Sequence, residues 1–206
     1  MRIRRAESTD AAALAEVHVR SWQATYRGLV PQDYLDGLDP ADRVDGWARI
    51  VASADWPRQG TLVAESDGRG VVGFAAFGPD RGDDTVDNNH TGPDRDAGAV
   101  DNNRAGHGAT TDAGRQPPTV TGELFAIYAL PEVWGTGMGR ALVAETLRTM
   151  DEAGYREAVL WVLDGNRRAR RFYAVGGWVA DGTTRTDDDR GFPMNEVRYR
   201  HPLIPR

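Results

Sequence analysis

A glycine-rich turn between a predicted strand and a predicted helix is the first chemical feature of the sequence. Residues 123–131 are apolar enough for a strand, and Gly135, Gly137 and Gly139 follow just as a helical pattern begins at Met138. Glycine lets a backbone approach a ligand closely, and the free N–H groups at a helix start favour phosphate. The turn is therefore a candidate pyrophosphate site, with a plain tight turn as the alternative.

Other phosphate-binding motifs do not match this turn. A dinucleotide fingerprint needs its last glycine at the sixth position, and counting from Gly135 that position is Arg140. A Walker A loop needs a lysine, but all 25 basic residues of the chain are arginine. The chain also has no cysteine, which excludes disulfides, zinc–thiolate sites and a cysteine-bound intermediate.

A second block of interest is a strand followed by an asparagine and a short helix. Asn166 follows the predicted strand at 158–163 and has the side chain of a helix N-cap. Tyr173 comes seven residues later, which is two helical turns, so it lies on nearly the same face. A tyrosine hydroxyl can donate a proton to a leaving group, while the simpler interpretation is a ring that packs its helix on the sheet.

Taken together, the two blocks resemble the GNAT superfamily of acetyl-CoA-dependent N-acetyltransferases. Residues 134–139 are similar to the family's Q/R-x-x-G-x-G/A signature, and the second block is similar to its strand–Asn–helix–Tyr–Gly-Phe segment. Residues 21–28 and 34–35 also resemble bacterial members. Trp134 replaces the usual Gln or Arg, and Trp178 replaces the usual Phe. The resemblance implies an α/β fold with helices flanking a twisted, mostly antiparallel mixed sheet.

The resemblance also implies acetyl-CoA as a co-substrate and no metal. The pantetheine arm would pair with the backbone of Ile127, Tyr128 and Ala129 as an added strand does, and Asn166 would cap its helix and bond this arm. The pyrophosphate would lie on the turn and the helix start, formed by Trp134, Gly135, Thr136, Gly137, Met138, Gly139 and Arg140.

The same resemblance favours a catalytic role for Tyr173, and the place of Glu123 at the start of the strand that leads to the cofactor makes it the candidate base. Tyr173 would protonate the departing thiolate, and Glu123 would take the proton of the amine directly or through water. An exposed strand-end carboxylate is the alternative for Glu123. Because the chain has no cysteine, direct attack of the amine in a ternary complex is favoured.

The acceptor side is harder to predict. Trp22, Tyr26 and Tyr34 would line it if the N-terminal helices cover the site, although core packing explains Trp22 equally well. His18 is expected to be a packed or surface histidine. Arginines at 167, 168, 170 and 171 form a cationic helix start, interpreted as a solvated face, with contact to the 3′-phosphate of CoA or to nucleic acid as alternatives.

The elements that must position these residues alternate along the chain. The pattern predicts a hairpin, then strand–helix–strand–helix–strand, which implies a mixed sheet with helices on its faces. The predicted strands are residues 1–6, 61–66, 71–77, 121–130, 158–163, 178–181 and 195–201. The predicted helices are residues 11–26, 31–38, 40–54, 138–153 and 167–175.

Length and charge distribution suggest one domain with an insertion. The 206 residues suit a single N-acetyltransferase domain, 1–206. Residues 80–118 hold eight aspartates and four arginines, no aromatic residue and no Leu, Ile or Met. Such a segment cannot bury enough apolar area to offset its ordering entropy, so it is predicted to be a disordered insertion.

Composition also constrains partners and location. The net charge of −6 argues against nucleic acid, and no apolar run approaches the ~20 residues of a membrane span. The first ten residues lack a signal-peptide core, so the protein is expected to be cytoplasmic.

The predicted activity is acetyl transfer to a primary amine, either a small molecule or a peptide N-terminus, by a monomer or homodimer. Two alternatives remain: transfer of another acyl group or to an O-acceptor, and a non-catalytic acyl-CoA-binding module.

Overall fold

The computed structural model describes residues 1–82 and 120–203, in which strands and helices alternate as predicted. The strands are β1 (Arg2–Arg5), β2 (Gly60–Ser66), β3 (Gly70–Pro79), β4 (Thr121–Ala129), β5 (Glu157–Leu163), β6 (Val179–Asp187) and β7 (Met194–Pro202). The α-helices are α1 (Ala11–Thr25), α2 (Gln32–Asp36), α3 (Val44–Ala52), α4 (Met138–Glu152) and α5 (Arg167–Val175).

Two elements differ from their predicted bounds by more than two residues. The helix predicted at 40–54 begins with a 3₁₀ turn, Pro40–Arg43, before α3. The strand predicted at 178–181 becomes the longer β6, which lies at the edge of the sheet and is largely exposed. Gly182 in its middle has φ +87°, and the register shifts between Ala180 and Thr184. Because this strand is largely exposed, its sequence also lacks the apolar alternation that predicts a strand.

The seven described strands form one mostly antiparallel sheet in the order β1-β2-β3-β4-β5-β7-β6. Within it, β4 and β5 are the parallel neighbours, and α4 connects them. Helices α4 and α5 pack on one face, where Leu142 and Tyr173 join the core around Phe77. Helices α1 and α3 pack on the other face around Phe74. The predicted α/β fold with a mostly antiparallel sheet is therefore confirmed.

A bulge in β4 changes the direction of this strand near the middle of the sheet. Ala76 pairs with Ala126 and Phe77 with Leu124, so Phe125 is the extra residue on β4. The parallel pairing with β5 ends just before it, at Glu123 and Val159. Residues 124–129 of β4 therefore have no partner on β5 in the described sheet, and the two strands separate.

The helices that flank this separation have well-defined ends. Gly137, with φ +92°, precedes the first residue of α4, and Gly154, with φ +93°, follows its end. Tyr155 N–H bonds to the Met150 carbonyl across that end, as in a Schellman motif. Asn166 caps α5, since its side-chain oxygen accepts from Ala169 N–H at 3.0 Å.

The predicted insertion at 80–118 lies, apart from residues 80–82, outside the described residues. Pro79 of β3 and Gly122 of β4 are paired, and Asp80 N–H bonds to the Thr121 carbonyl at 3.1 Å. The chain therefore leaves β3 and enters β4 at the same end of the sheet. Among the described residues, no helix has both the length and the apolar character needed to cross a bilayer.

Candidate active site

A cavity of about 650 Å³ lies where β4 and β5 separate. Phe172 and Tyr173 of α5 line it on one face of the sheet, and Trp22 and Tyr26 line it on the other. The cavity therefore crosses the sheet, so that molecules entering from opposite faces could meet inside it.

The wall of the cavity has two parts, one formed by a glycine-rich turn and one rich in charged side chains. The turn region consists of the lining residues between 133 and 140 together with Arg168. The carboxylate region consists of Arg81, Glu123, Trp161, Arg185, Glu196 and residues 187–190.

The backbone of the turn region is open towards a ligand. Gly135 and Gly137 have φ values of +78° and +92°, which favour glycine, and no described atom lies within 4 Å of the position a Cβ would take at either residue. The first N–H of α4 that bonds within the helix is that of Ala141, to the Gly137 carbonyl at 3.0 Å. The N–H groups before it remain for an anion at the helix start.

Two residues predicted for this region do not line the cavity. The Thr136 hydroxyl donates to the Val133 carbonyl at 2.7 Å, which fixes the turn from within. The Met138 side chain is buried in the core beneath α4. Any contribution of these two residues to ligand binding therefore comes from their backbone, whereas Gly139 and Arg140 do line the cavity.

Trp134 ties the turn to the end of β4. Its indole N–H donates to the Ala129 carbonyl at 2.8 Å, and the Ser21 hydroxyl of α1 donates to the same oxygen at 3.0 Å. Both lone pairs of that carbonyl are therefore used. The Tyr128 carbonyl faces β3, since its oxygen lies 3.0 Å from the position a Cβ would take on Gly73. Neighbouring residues of a strand direct their carbonyls to opposite edges, so of the three residues predicted to pair with an added strand Ile127 directs its carbonyl to the open edge clear of these two bonds.

Asn166 and Tyr173 both reach the cavity from the other side of the opening. Tyr173 is only 8 % exposed, and its ring contacts those of Trp178 and Tyr199. Burial raises the pKa of the Tyr173 phenol above its usual value, so this group stays protonated. The structure records no hydrogen bond between its hydroxyl and a described residue, so this hydroxyl is available to donate a proton to a ligand.

Glu123 lies at the point where β4 and β5 begin to separate, and its side chain is 2 % exposed. Arg81 holds both carboxylate oxygens through Nε at 3.0 Å and a terminal nitrogen at 2.5 Å, and its backbone N–H adds a longer bond of 3.3 Å. The same guanidinium lies 4.2 Å from the centre of the Phe125 ring. The exposed strand-end carboxylate considered above is therefore wrong, since this group is buried and paired.

The C-terminal end of α1 lines the cavity, whereas no residue of α2 does. Trp22 and Tyr26 line it, and the Tyr26 hydroxyl lies 3.2 Å from that of Tyr128. Tyr34 does not line it and packs between Trp22 and Phe192. His18 is buried among aromatic rings, stacked on Tyr128 at 5.5 Å.

Glu196 also lines the cavity, although the sequence motifs did not predict it as a site residue. Its Oε2 accepts from Arg185 Nε at 2.6 Å, and the structure records no bond from Oε1 to a described residue. Burial raises the pKa of the Glu196 carboxyl, although Arg185 opposes the shift. Arg185 also covers the Trp161 ring at 4.2 Å. A charged residue facing inward from a strand is the signal that could have found Glu196.

The family model for the acetyltransferase (GNAT) family matches residues 22–177 of this chain. An uncharacterized N-acetyltransferase of Bacillus subtilis, YuaI, is 30% identical over 164 residues, which are 80% of this chain and 72% of that protein. One of Archaeoglobus fulgidus is 30% identical over 174 residues, covering 84% of this chain and 90% of the relative.

Solved structures agree on the fold. The PaiA N-acetyltransferase of Thermoplasma acidophilum, in complex with coenzyme A, superposes with a TM-score of 0.63 at 19% identity, covering 98% of each chain. YncA of Salmonella typhimurium, a putative acetyltransferase with its cofactor acetyl-CoA, gives 0.60 at 18% identity, covering 100% of this chain and 95% of its own. This chain belongs to the GNAT family of acetyltransferases, which confirms the resemblance found in its motifs.

Proposed function

We propose that the protein transfers the acetyl group of acetyl-CoA to a primary amine by direct attack in a ternary complex. The single observation that carries this proposal is the cavity that crosses the sheet. A thioester bound along the separated strands and an amine entering from the α1 face would meet there without a covalent enzyme intermediate.

The described residues fit the CoA part of acetyl-CoA. Residues 124–129 of β4 lack a partner on β5, so their backbone can pair with the amide groups of the pantetheine arm. Gly135 and Gly137 leave space where a side chain would stand, next to the unpaired N–H groups of α4. A phosphate is favoured at such a helix start by both hydrogen bonding and the helix dipole.

Tyr173 is proposed as the general acid. When a C–N bond forms and the C–S bond breaks, the sulfur leaves as a thiolate and needs a proton. Tyr173 lines the cavity, and its hydroxyl is protonated at neutral pH and has no recorded bond to another described residue. Asn166 caps the start of the same helix.

The proton of the attacking amine needs a second group, and two carboxylates line the cavity. Glu123 is the predicted base, but the Arg81 guanidinium already bonds both of its oxygens. Glu196 keeps one oxygen without a recorded bond to a described residue, and burial raises the pKa of its carboxyl. Glu123 can act through water, or directly once Arg81 moves away. The geometry adds Glu196 as a second candidate for the base.

The activity test is release of free thiol from acetyl-CoA in the presence of an amine panel. The protein has no cysteine and so adds no thiol of its own. The panel comprises polyamines, amino-acid derivatives, aminoglycosides and peptides with free N-termini, and Tyr173→Phe is the matched control. We expect at least one amine to accelerate release, and the variant to lose that acceleration.

Other outcomes would correct the proposal. Faster release from a longer acyl-CoA would change the donor, and acceleration by hydroxyl compounds alone would change the acceptor. Tight acetyl-CoA binding without release for any member of the panel would support a non-catalytic binding module instead.

A further inference from the structure

The arginines that line the cavity fall into two groups. In the carboxylate region each has an acidic partner: Arg81 pairs with Glu123, Arg185 with Glu196, and Arg190 with Asp187 at 2.7 Å. Their charge is therefore largely compensated inside the protein. These arginines fix carboxylates in place and leave little net positive charge for an anionic ligand.

The turn region has the opposite character. Arg140 and Arg168 both line the cavity, and no ion pair with a described residue is recorded for either. Both side chains are exposed. Positive charge at this wall is therefore uncompensated, beside the N–H groups at the start of α4.

Arg168 differs from Arg140 because an aromatic ring supports it. Its guanidinium carbon lies 3.8 Å from the centre of the Trp134 ring, which is cation–π contact. The Trp134 ring is itself fixed by the bond from its indole N–H to the Ala129 carbonyl. A long, flexible side chain is thus held at one position on the cavity wall, although its own helix would leave it free.

We propose that Arg168, held on the face of Trp134, binds a phosphate group of the CoA moiety, and that Trp134 acts as its positioning residue. This inference rests on the proposed function. Trp134 stands where the family signature has Gln or Arg, so the turn lacks that polar side chain. Arg168 of α5 supplies a cation at the same place. Bonds between a guanidinium and a phosphate are charge-assisted and add to those from the helix start.

The neighbouring arginines provide matched controls. Arg167 and Arg171 are exposed residues of the same helix, and neither lines the cavity. If positive charge near α5 acted only at long range, removing any of these three arginines would weaken binding similarly. A direct contact instead singles out Arg168.

The test is calorimetric titration of acetyl-CoA into the unaltered protein, Arg168→Ala, Arg167→Ala and Arg171→Ala. We expect Arg168→Ala to weaken binding about 10- to 100-fold, the size of a lost hydrogen bond to a charged group, with less dependence on salt. The two controls should stay within about threefold, as expected for a screened surface charge.

Two further ligands identify the phosphate. If Arg168→Ala weakens the binding of 3′-dephospho-acetyl-CoA as much as that of acetyl-CoA, Arg168 contacts the pyrophosphate. If the variant binds 3′-dephospho-acetyl-CoA as well as the unaltered protein does, Arg168 contacts the 3′-phosphate. Acetyl-pantetheine, which has no phosphate, should bind the unaltered protein and Arg168→Ala equally.

The role of Trp134 is tested by coupling. Trp134→Leu removes the supporting ring and should weaken acetyl-CoA binding, but it should add little in the Arg168→Ala background. Trp134→Phe keeps a ring without the indole N–H and should retain more affinity than Trp134→Leu. Circular dichroism of each variant confirms that the fold is kept.

Arg168→Ala binding as tightly as Arg167→Ala would overturn the inference and leave the proposed function standing. Additive losses from Trp134→Leu and Arg168→Ala would overturn the positioning role of Trp134. If the unaltered protein binds no acetyl-CoA, the proposed function and this inference both fail.

Discussion

The turn region and the carboxylate region of one cavity are built in opposite ways. Apart from Arg168, the turn region comes from one continuous stretch and presents mainly backbone, with glycines where side chains would interfere. The carboxylate region combines side chains from β4, β5, β6 and β7 with Arg81, and its three arginines each pair with a carboxylate. The turn region can bind a part of the ligand that many acyl donors share. The carboxylate region can vary with the acceptor without changing how the donor binds.

This difference predicts where substitutions act. Changes in the turn region should alter donor affinity, and changes in the carboxylate region should alter turnover or acceptor use.

The largest effect is expected from Gly137→Val. A branched side chain at φ +92° strains the turn and fills the open space before α4, so acetyl-CoA binding should become undetectable by calorimetry. Gly154→Val is the control, because Gly154 has φ +93° and equally open space at the other end of α4. Retained binding by Gly137→Val, or equal loss by Gly154→Val, would refute the site at the turn.

Tyr173→Phe comes next. It removes the hydroxyl and keeps the ring contacts, so turnover should fall about 10- to 1,000-fold, while acetyl-CoA affinity stays within about threefold. The comparison variant is Tyr155→Phe, since Tyr155 is a buried tyrosine outside the cavity whose hydroxyl bonds the Arg58 carbonyl. It should lower thermal stability and spare turnover. An unchanged turnover number for Tyr173→Phe would remove this residue from the mechanism.

A smaller effect separates the two carboxylates. Glu196→Gln should lower turnover about 10- to 100-fold, and Glu123→Gln should lower it less, because Arg81 already holds the Glu123 oxygens. A base must be ionised, so kcat/KM of the unaltered protein should fall as pH drops through the raised pKa of Glu196. That limb should vanish in Glu196→Gln. A larger loss for Glu123→Gln, with the limb kept in Glu196→Gln, would make Glu123 the base.

The smallest effect is expected from shortening the chain between β3 and β4. Pro79 and Gly122 are already paired, so a short turn in place of residues 83–119 should leave the melting temperature within a few degrees. The variant keeps Arg81 and its bonds to Glu123, and turnover should be retained. Thermal denaturation followed by thiol release checks both, and loss of the fold would show that the segment is structural.

The sequence predicted most of the fold and the turn region because both depend on local patterns. Gly137 and Asn166 mark helix starts by residue type alone, and the structure places both there. The carboxylate region depends on side chains far apart in sequence, such as Glu196 and Trp161, and no local spacing connects them. Tyr34 was expected at the cavity and packs behind Trp22, because its distance from the site depends on how α2 folds back.

The most direct test of the central claim is calorimetric titration of acetyl-CoA into the purified protein, with NADH and ATP as controls. The arrangement of β4, β5 and the turn at Gly135 and Gly137 predicts selective binding of acetyl-CoA in the micromolar range. Absence of binding, or equal binding of ATP and acetyl-CoA, would contradict the claim that these elements form a site for the acetyl donor.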